Sequence, residues 1–368
     1  MKHIPFIDLS FQTQAIYKSV QKEWDKIINS SSFVMGKYLD DFEKSFSQFT
    51  AIKHTIGVGN GGDAIELTLR SLNLPKDSKI FLPVNTFIAT ATAVTRAGYD
   101  VRFIDVNKDD GLINFENLFS NKLTNKSCVI PVHLFGFMVD VSLLKKNLGK
   151  NNKIIEDASQ AHGAKFNNLP PGTHGQAATY SFYPGKNLGA FGDGGAISTS
   201  LSSVEKKVSL LRNYGSIKKY QHDIVGFNSR LDPMQAVVLK EKLKHLDKWN
   251  NIRRQNYKKY RDHLKDMEHV ELIEEPKFSQ SVFHLTVAKV KNRENLIKYL
   301  DKNKISTIIH YPVPLHKTKA YKNYNFKKGE FKNAEKMAGE ILSLPNYPGM
   351  TNQQISYVCE KINNFYNN

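Results

Sequence analysis

Between residues 55 and 200 the chain alternates short β-branched or aromatic runs with amphipathic stretches. That alternation confines it to one fold class. Strands are expected near 55–58, 79–84, 101–106, 128–133, 153–157, 179–183 and 195–199. Helices are expected over 63–74, where Ala64, Leu67, Leu69 and Leu72 fall at roughly helical spacing, and over 87–97. Parallel neighbours need crossover connections that cover both faces of a sheet, so the pattern predicts an α/β domain with a mostly parallel, seven-stranded sheet. In such sheets ligands collect at the carboxyl ends of the strands.

The 368 residues exceed one typical domain. After Asp232-Pro233 the stretch 234–264 reads as long helical sequence that carries the chain out of the first domain. We divide the chain into a large α/β domain, 1–245, and a smaller α+β domain, 246–368. The second offers a strand over 282–288, a helix over 294–302 and the Pro-rich loop Tyr311-Pro312-Val313-Pro314.

The net charge of +17 raises nucleic acid as a partner. Its distribution argues against that: only nine of the 52 basic residues are Arg, and the lysines lie singly or in pairs among acids and asparagines. No apolar run reaches bilayer-spanning length, and Met1-Lys2-His3-Ile4-Pro5 lacks the apolar core of a signal peptide, which predicts a cytoplasmic protein. Cys128 and Cys359 read as reduced, buried packing residues, and no metal site is expected.

Three motifs carry chemistry. Gly57-Val58-Gly59-Asn60-Gly61-Gly62-Asp63 is a Gly-rich turn between a strand and a helix, where backbone amides can approach a phosphate. It also satisfies the spacing of a dinucleotide fingerprint, but the next strand ends Pro83-Val84-Asn85-Thr86, without the acid a ribose needs. A tight turn with Asp63 capping a helix is the plain alternative. The second motif, Ile154-Ile155-Glu156-Asp157, ends an apolar strand in a carboxylate that could meet a cationic ring nitrogen or simply cap a helix. In the third, Ser181-Phe182-Tyr183-Pro184-Gly185-Lys186-Asn187, a lysine sits in a constrained turn beyond a strand, where its amine can become a Schiff-base nucleophile. Any one of 43 lysines is usually a solvated surface group. A phosphate turn, an acidic strand end and a constrained lysine together are what pyridoxal phosphate requires.

With these residues in view, the chain resembles the DegT/DnrJ family of nucleotide-sugar aminotransferases, within the aspartate-aminotransferase-like fold (fold type I) of pyridoxal-phosphate enzymes. The likeness runs from Pro5-Phe6-Ile7-Asp8-Leu9 through Pro131-Val132-His133-Leu134-Phe135-Gly136 and the stretch 181–195 to His310-Tyr311-Pro312. The resemblance implies that Lys186 joins the cofactor and shuttles a proton, and that Asp157 pairs with the ring nitrogen. It further implies that Gln160 bonds the ring hydroxyl, Phe87 stacks on the ring, and Ser181 with the amides of Gly62 and Asp63 holds the phosphate. Asn228, in Gly226-Phe227-Asn228-Ser229-Arg230, would reach the phosphate of the neighbouring subunit, making an obligate homodimer. The family often has threonine where this chain has Gly62, which predicts weaker cofactor retention. Relatives with histidine in place of the lysine perform dehydration, and Lys186 argues against that branch.

Tyr183-Pro184-Gly185-Lys186-Asn187 is similar to relatives that act at C3 of the sugar. The expected reaction converts a dTDP-linked 3-keto-6-deoxyhexose to the 3-amino sugar, gluco or galacto, with L-glutamate as donor. Tyr183, His310 and His316 are candidate sugar or diphosphate contacts, each equally readable as a packing aromatic or a satisfied histidine. A C4- or uronate-specific aminotransferase, a nonenzymatic regulator and a nicotinamide oxidoreductase are the alternatives.

Overall fold

The structure is a computed structural model that describes residues 2–367 apart from 122, 125 and 325. Two amphipathic helices come first, α1 (Ser10–Asn29) and α2 (Lys37–Thr50). In α2, Leu39, Phe42, Phe46 and Thr50 recur at helical spacing and form its buried face. Phe46 meets Tyr180 of the main sheet edge-on, ring centroids 5.0 Å apart.

The expected sheet follows. Its strands are β1 (His54–Val58), β2 (Lys79–Pro83), β3 (Asp100–Ile104), β4 (Cys128–Val129), β5 (Lys153–Asp157), β7 (Ala177–Ser181) and β8 (Gly195–Thr199), with β6 (Lys165–Phe166) paired outside it. The spatial order is β1-β8-β7-β5-β4-β2-β3. Pairs from β3 across to β7 are parallel, and β8 alone runs antiparallel to both its neighbours. Crossover helices α3 (Gly61–Ser71) and α4 (Ile88–Arg96) leave the carboxyl ends of β1 and β2, so both helix N-termini open on the edge where β5 and β7 also end.

Several boundaries move. The run expected as a strand over 128–133 is regular only at Cys128–Val129, because Pro131 has no N–H to continue the ladder, and resumes as a single parallel bridge between Val132 and Asp157. Beyond it Asp157 N still reaches Pro131 O at 2.9 Å. The strand expected over 179–183 is Ala177–Ser181, and Phe182 and Tyr183 belong to the turn that carries Lys186. The single helix expected over 234–264 is two, Pro233–Leu243 and Leu246–Leu264, meeting at Lys244–His245.

The C-terminal region forms an antiparallel sheet, Val270–Leu272, Thr286–Val290 and Ile341–Leu344, covered by helices Arg293–Lys302 and Asn352–Asn367. The segment 282–285, expected to open a strand, is coil that bonds the loop after β4: Val282 N to Gly136 O at 3.2 Å and Leu285 N to Phe135 O at 3.2 Å. Ile4 donates to Lys304 O at 2.8 Å and is buried with Leu296, Leu300 and Leu342, so it packs with this region, while Phe6 packs against the core of the large sheet. Among the described residues no helix is long and apolar enough to cross a membrane.

Candidate active site

The Gly-rich turn is a helix start. Asn60 caps α3, its Oδ1 accepting from Asp63 N at 2.8 Å. The Asp63 amide, expected on the phosphate, is therefore engaged within the turn, which leaves the first amides of the helix, Gly61 and Gly62, to face a ligand. Asp63 is turned away as well: its carboxylate accepts from Ser229 Oγ at 2.7 Å and meets Arg96 at 3.3 Å. Ser229 Oγ in turn accepts from Gly59 N at 3.1 Å. A Cβ on Gly61 would lie 2.6 Å from Ser181 Cβ, so only glycine lets α3 start against the end of β7 and brings Ser181 to the amides.

Asp157 ends β5 with 4% of its surface exposed. One oxygen accepts from Thr90 Oγ1 at 2.8 Å and the other from Ser159 N at 3.1 Å. Three residues on, Gln160 is locked: Oε1 accepts from Phe135 N at 2.7 Å, and Nε2 donates to Tyr311 OH at 3.2 Å. The second Nε2 hydrogen remains for a ligand. Phe87, at the cap of α4, is 56% exposed and lies 6.0 Å from the Tyr311 ring, so one face is open for stacking.

Lys186 sits in the turn after β7, closed by Lys186 N to Tyr183 O at 2.8 Å and Ala190 N to Phe182 O at 2.8 Å. A Cβ on Gly189 would stand 2.3 Å from Pro184 O, so the turn can be this tight only with glycine there. Loss of solvent holds the amine down to about 8, with the Asp157 carboxylate pulling it back up. A substantial neutral fraction at physiological pH makes it a competent nucleophile and base.

The remaining expected residues divide. His310, on the loop after the Arg293–Lys302 helix, lies near the lysine: burial, then the Lys186 charge, hold it down to about 4, and Nδ1 bonds Ser343 Oγ at 2.9 Å. Tyr183 is 61% exposed at the rim. His316 is not in this group; its Nε2 meets Glu335 at 3.1 Å and its ring packs on Phe331, while Nδ1 is buried without a partner. Asn228 is exposed beside the buried Ser229, whose hydroxyl bonds the Gly-rich turn. Missed by the sequence reading were Asn60, Thr90 and Tyr311, and also Asn187 and His284, whose side chains bond each other at 3.1 Å. Asn187, directly after the lysine, and a histidine inside the apolar run Val282-Phe283-His284-Leu285 were the available signals.

A lysine, a buried carboxylate and a helix start converge on one sheet edge. The model of the DegT/DnrJ/EryC1/StrS aminotransferase family matches residues 14–363. The chain belongs to this family. As such it is a pyridoxal-phosphate-dependent aminotransferase. A relative from Aneurinibacillus thermoaerophilus, dTDP-3-amino-3,6-dideoxy-alpha-D-galactopyranose transaminase, is 38% identical over 366 residues, 98% of this chain and 99% of the relative. A Geobacillus stearothermophilus protein named a pleiotropic regulatory protein is 36% identical over 368 residues, 99% of each chain. The crystal structure of Streptomyces venezuelae DesV in complex with a ketimine intermediate matches with a TM-score of 0.96 at 34% identity, covering 100% of both chains. The fold that the resemblance implied is the fold observed.

Proposed function

We propose that this aminotransferase moves the amino group of L-glutamate to C3 of a dTDP-linked 3-keto-6-deoxyhexose, giving the 3-amino-3,6-dideoxy sugar. The convergence of Lys186, Asp157 and Gln160 with the α3 start carries the catalytic part of this reading. The C3 and dTDP assignments are supported by the A. thermoaerophilus transaminase and by a dTDP-3-amino-3,4,6-trideoxy-alpha-D-glucose transaminase of S. venezuelae, 34% identical over 365 residues.

The residues fit pyridoxal phosphate, which when bound supplies an electron sink for moving an amino group and a proton at one carbon. The Gly61 and Gly62 amides, the α3 dipole and Ser181 would hold its phosphate. Gln160 would bond the ring hydroxyl and Phe87 would cover one face. Asp157, desolvated and already bonded by Thr90 and Ser159, would keep the ring nitrogen protonated. Lys186 would hold the cofactor covalently and carry the proton at its Nζ. Asn228 would close the phosphate site of a second copy, in a homodimer built partly on the exposed Ile217, Tyr220 and Val225 beside it.

The G. stearothermophilus relative's name favours a second reading, a regulator that keeps the fold. Purified protein supplied with L-glutamate, pyridoxal phosphate and defined dTDP-3-keto or 4-keto sugars, with products read by NMR, separates the readings. A 3-amino product is expected. A 4-amino product would move the specificity, and no turnover with any keto sugar would favour the regulator.

Gly62 offers a direct test of the phosphate site. A Cβ there would lie 3.2 Å from Asn60 Oδ1 and 3.9 Å from Ala89 Cβ, so threonine fits once Asn60 yields by a few tenths of an ångström. Gly62→Thr is expected to tighten cofactor binding about three- to tenfold through one added bond to a charged group, read by equilibrium titration of absorbance. Unchanged or weaker binding would show that position 62 does not face the phosphate.

A further inference from the structure

Beyond the residues that would touch the cofactor, a polar chain runs from the protein interior to the lysine turn. Asn250, 1% exposed, donates through Nδ2 to His162 O at 2.8 Å. A peptide carbonyl only accepts, so this bond fixes the orientation of the Asn250 amide and makes its Oδ1 an acceptor. Asn187, also 1% exposed, donates through Nδ2 to that oxygen at 2.8 Å and to Val282 O at 3.0 Å. Both Asn187 hydrogens are thereby used. Its Oδ1 can only accept, and the atom facing it at 3.1 Å is His284 Nδ1. His284 must carry its hydrogen on Nδ1, which leaves a lone pair on Nε2.

The groups facing His284 keep that lone pair free. Burial acts first, and then the charges of Lys186 in its turn, Arg253 on the Leu246–Leu264 helix, His310 and His162, all of which disfavour a second proton and hold the ring well below its usual range. Nε2 has no hydrogen-bond partner among the described residues and is not one of the enclosed unpartnered nitrogens. The Lys186 amine likewise makes no hydrogen bond to a described side chain. The lysine stands near enough for its charge to act on the His284 ring, and the residue that holds that ring, Asn187, directly follows Lys186 in sequence.

We propose that His284 is a positioning residue for Lys186: fixed by Asn187 as the Nδ1–H tautomer, it accepts a hydrogen bond through Nε2 from the lysine ammonium whenever the amine is not joined to the cofactor. No bond is made or broken in this step. The bond stabilises the ammonium against its desolvation, so the amine keeps enough basicity to take a proton from the substrate carbon and return it. The proposal rests on the aminotransferase reading for its catalytic meaning, but its test does not need the cofactor.

The test is the pH profile of Lys186 acylation by acetic anhydride in the cofactor-free protein, read by peptide mass spectrometry. Two variants separate the two ring nitrogens. His284→Asn keeps an N–H donor near the Nδ1 position and removes the Nε2 acceptor, whereas His284→Gln places a carboxamide oxygen near the Nε2 position. The wild-type midpoint is expected near 8. In His284→Asn it should fall by about one pH unit, making Lys186 about tenfold more reactive near neutrality, and in His284→Gln it should return most of the way. A folded His284→Asn protein with an unchanged or raised midpoint would overturn the proposal. Should that variant not fold, imidazole 15N NMR of the wild-type protein decides: a neutral Nδ1–H ring from pH 6 to 9 supports the proposal, and an Nε2–H tautomer or an imidazolium overturns it. Failure of the aminotransferase reading would show separately, as a protein whose lysine titrates as expected yet forms no absorption band with pyridoxal phosphate.

Discussion

Lys186→Ala is expected to abolish turnover while leaving a folded protein. The side chain makes no hydrogen bond to a described residue and its amine is held down to about 8 by loss of solvent. Alanine removes a poorly solvated charge, so thermal stability should stay level or rise slightly. Both chemical roles of the residue vanish together, because no other lysine stands in the turn to act as nucleophile or proton carrier. The absorption band of the lysine-bound cofactor should be missing, and glutamate-dependent amination should fall below detection. Full activity in the variant would sink the assignment. The same variant tests the homodimer. Mixed in equal amounts with Asn228→Ala and allowed to exchange subunits, half the dimers become mixed, and each holds one site with both residues intact if Asn228 serves its neighbour. About a quarter of wild-type activity should return. No return after demonstrated exchange would place Asn228 outside the partner's site.

What the sequence made legible was the repetitive part. Seven strands and the helices after β1 and β2 were read from alternation, since a buried parallel sheet writes each strand as an apolar run. Ends were harder. Phe182 is apolar and fully buried, so it reads as strand, yet it faces the core from a turn closed by Gly194 O and Ala190 N. The break at Lys244–His245 carries neither glycine nor proline and is set by packing. At the site, Lys186, Asp157 and Gln160 stood out because their motifs are local in sequence. The groups that hold them come from far away: Tyr311 lies 151 residues from the glutamine it bonds, and Thr90 lies 67 residues from Asp157. The Asp63 amide shows a related limit, since Asn60 and the helix start compete for the same hydrogen and the sequence does not say which bond wins.

Asp157→Asn is expected to lower turnover about 10²- to 10³-fold with the cofactor still bound, the range seen when one preorganised electrostatic contact is removed from a reacting centre. The substitution isolates charge because the surroundings can absorb it. Asparagine Oδ1 can keep the bond from Ser159 N. Its Nδ2 can donate to Thr90 Oγ1, which then turns its own hydrogen to Thr86 Oγ1, 3.1 Å away. No buried group is orphaned, so the fold and the pocket's shape should persist. Two consequences follow from the missing negative charge. The cofactor's ring nitrogen loses the group that keeps it protonated, and the ring becomes a poorer electron sink. Lys186 loses the carboxylate attraction that opposes its desolvation, so its midpoint in the cofactor-free protein should fall below the wild-type value near 8, not rise above it. The two readouts are independent, one kinetic with saturating cofactor and one a lysine titration without it. Near-normal turnover would remove Asp157 from the ring nitrogen. A lysine midpoint that does not move would show that carboxylate and amine do not act on each other across the cleft, and the convergence on which the catalytic reading stands would lose one of its members.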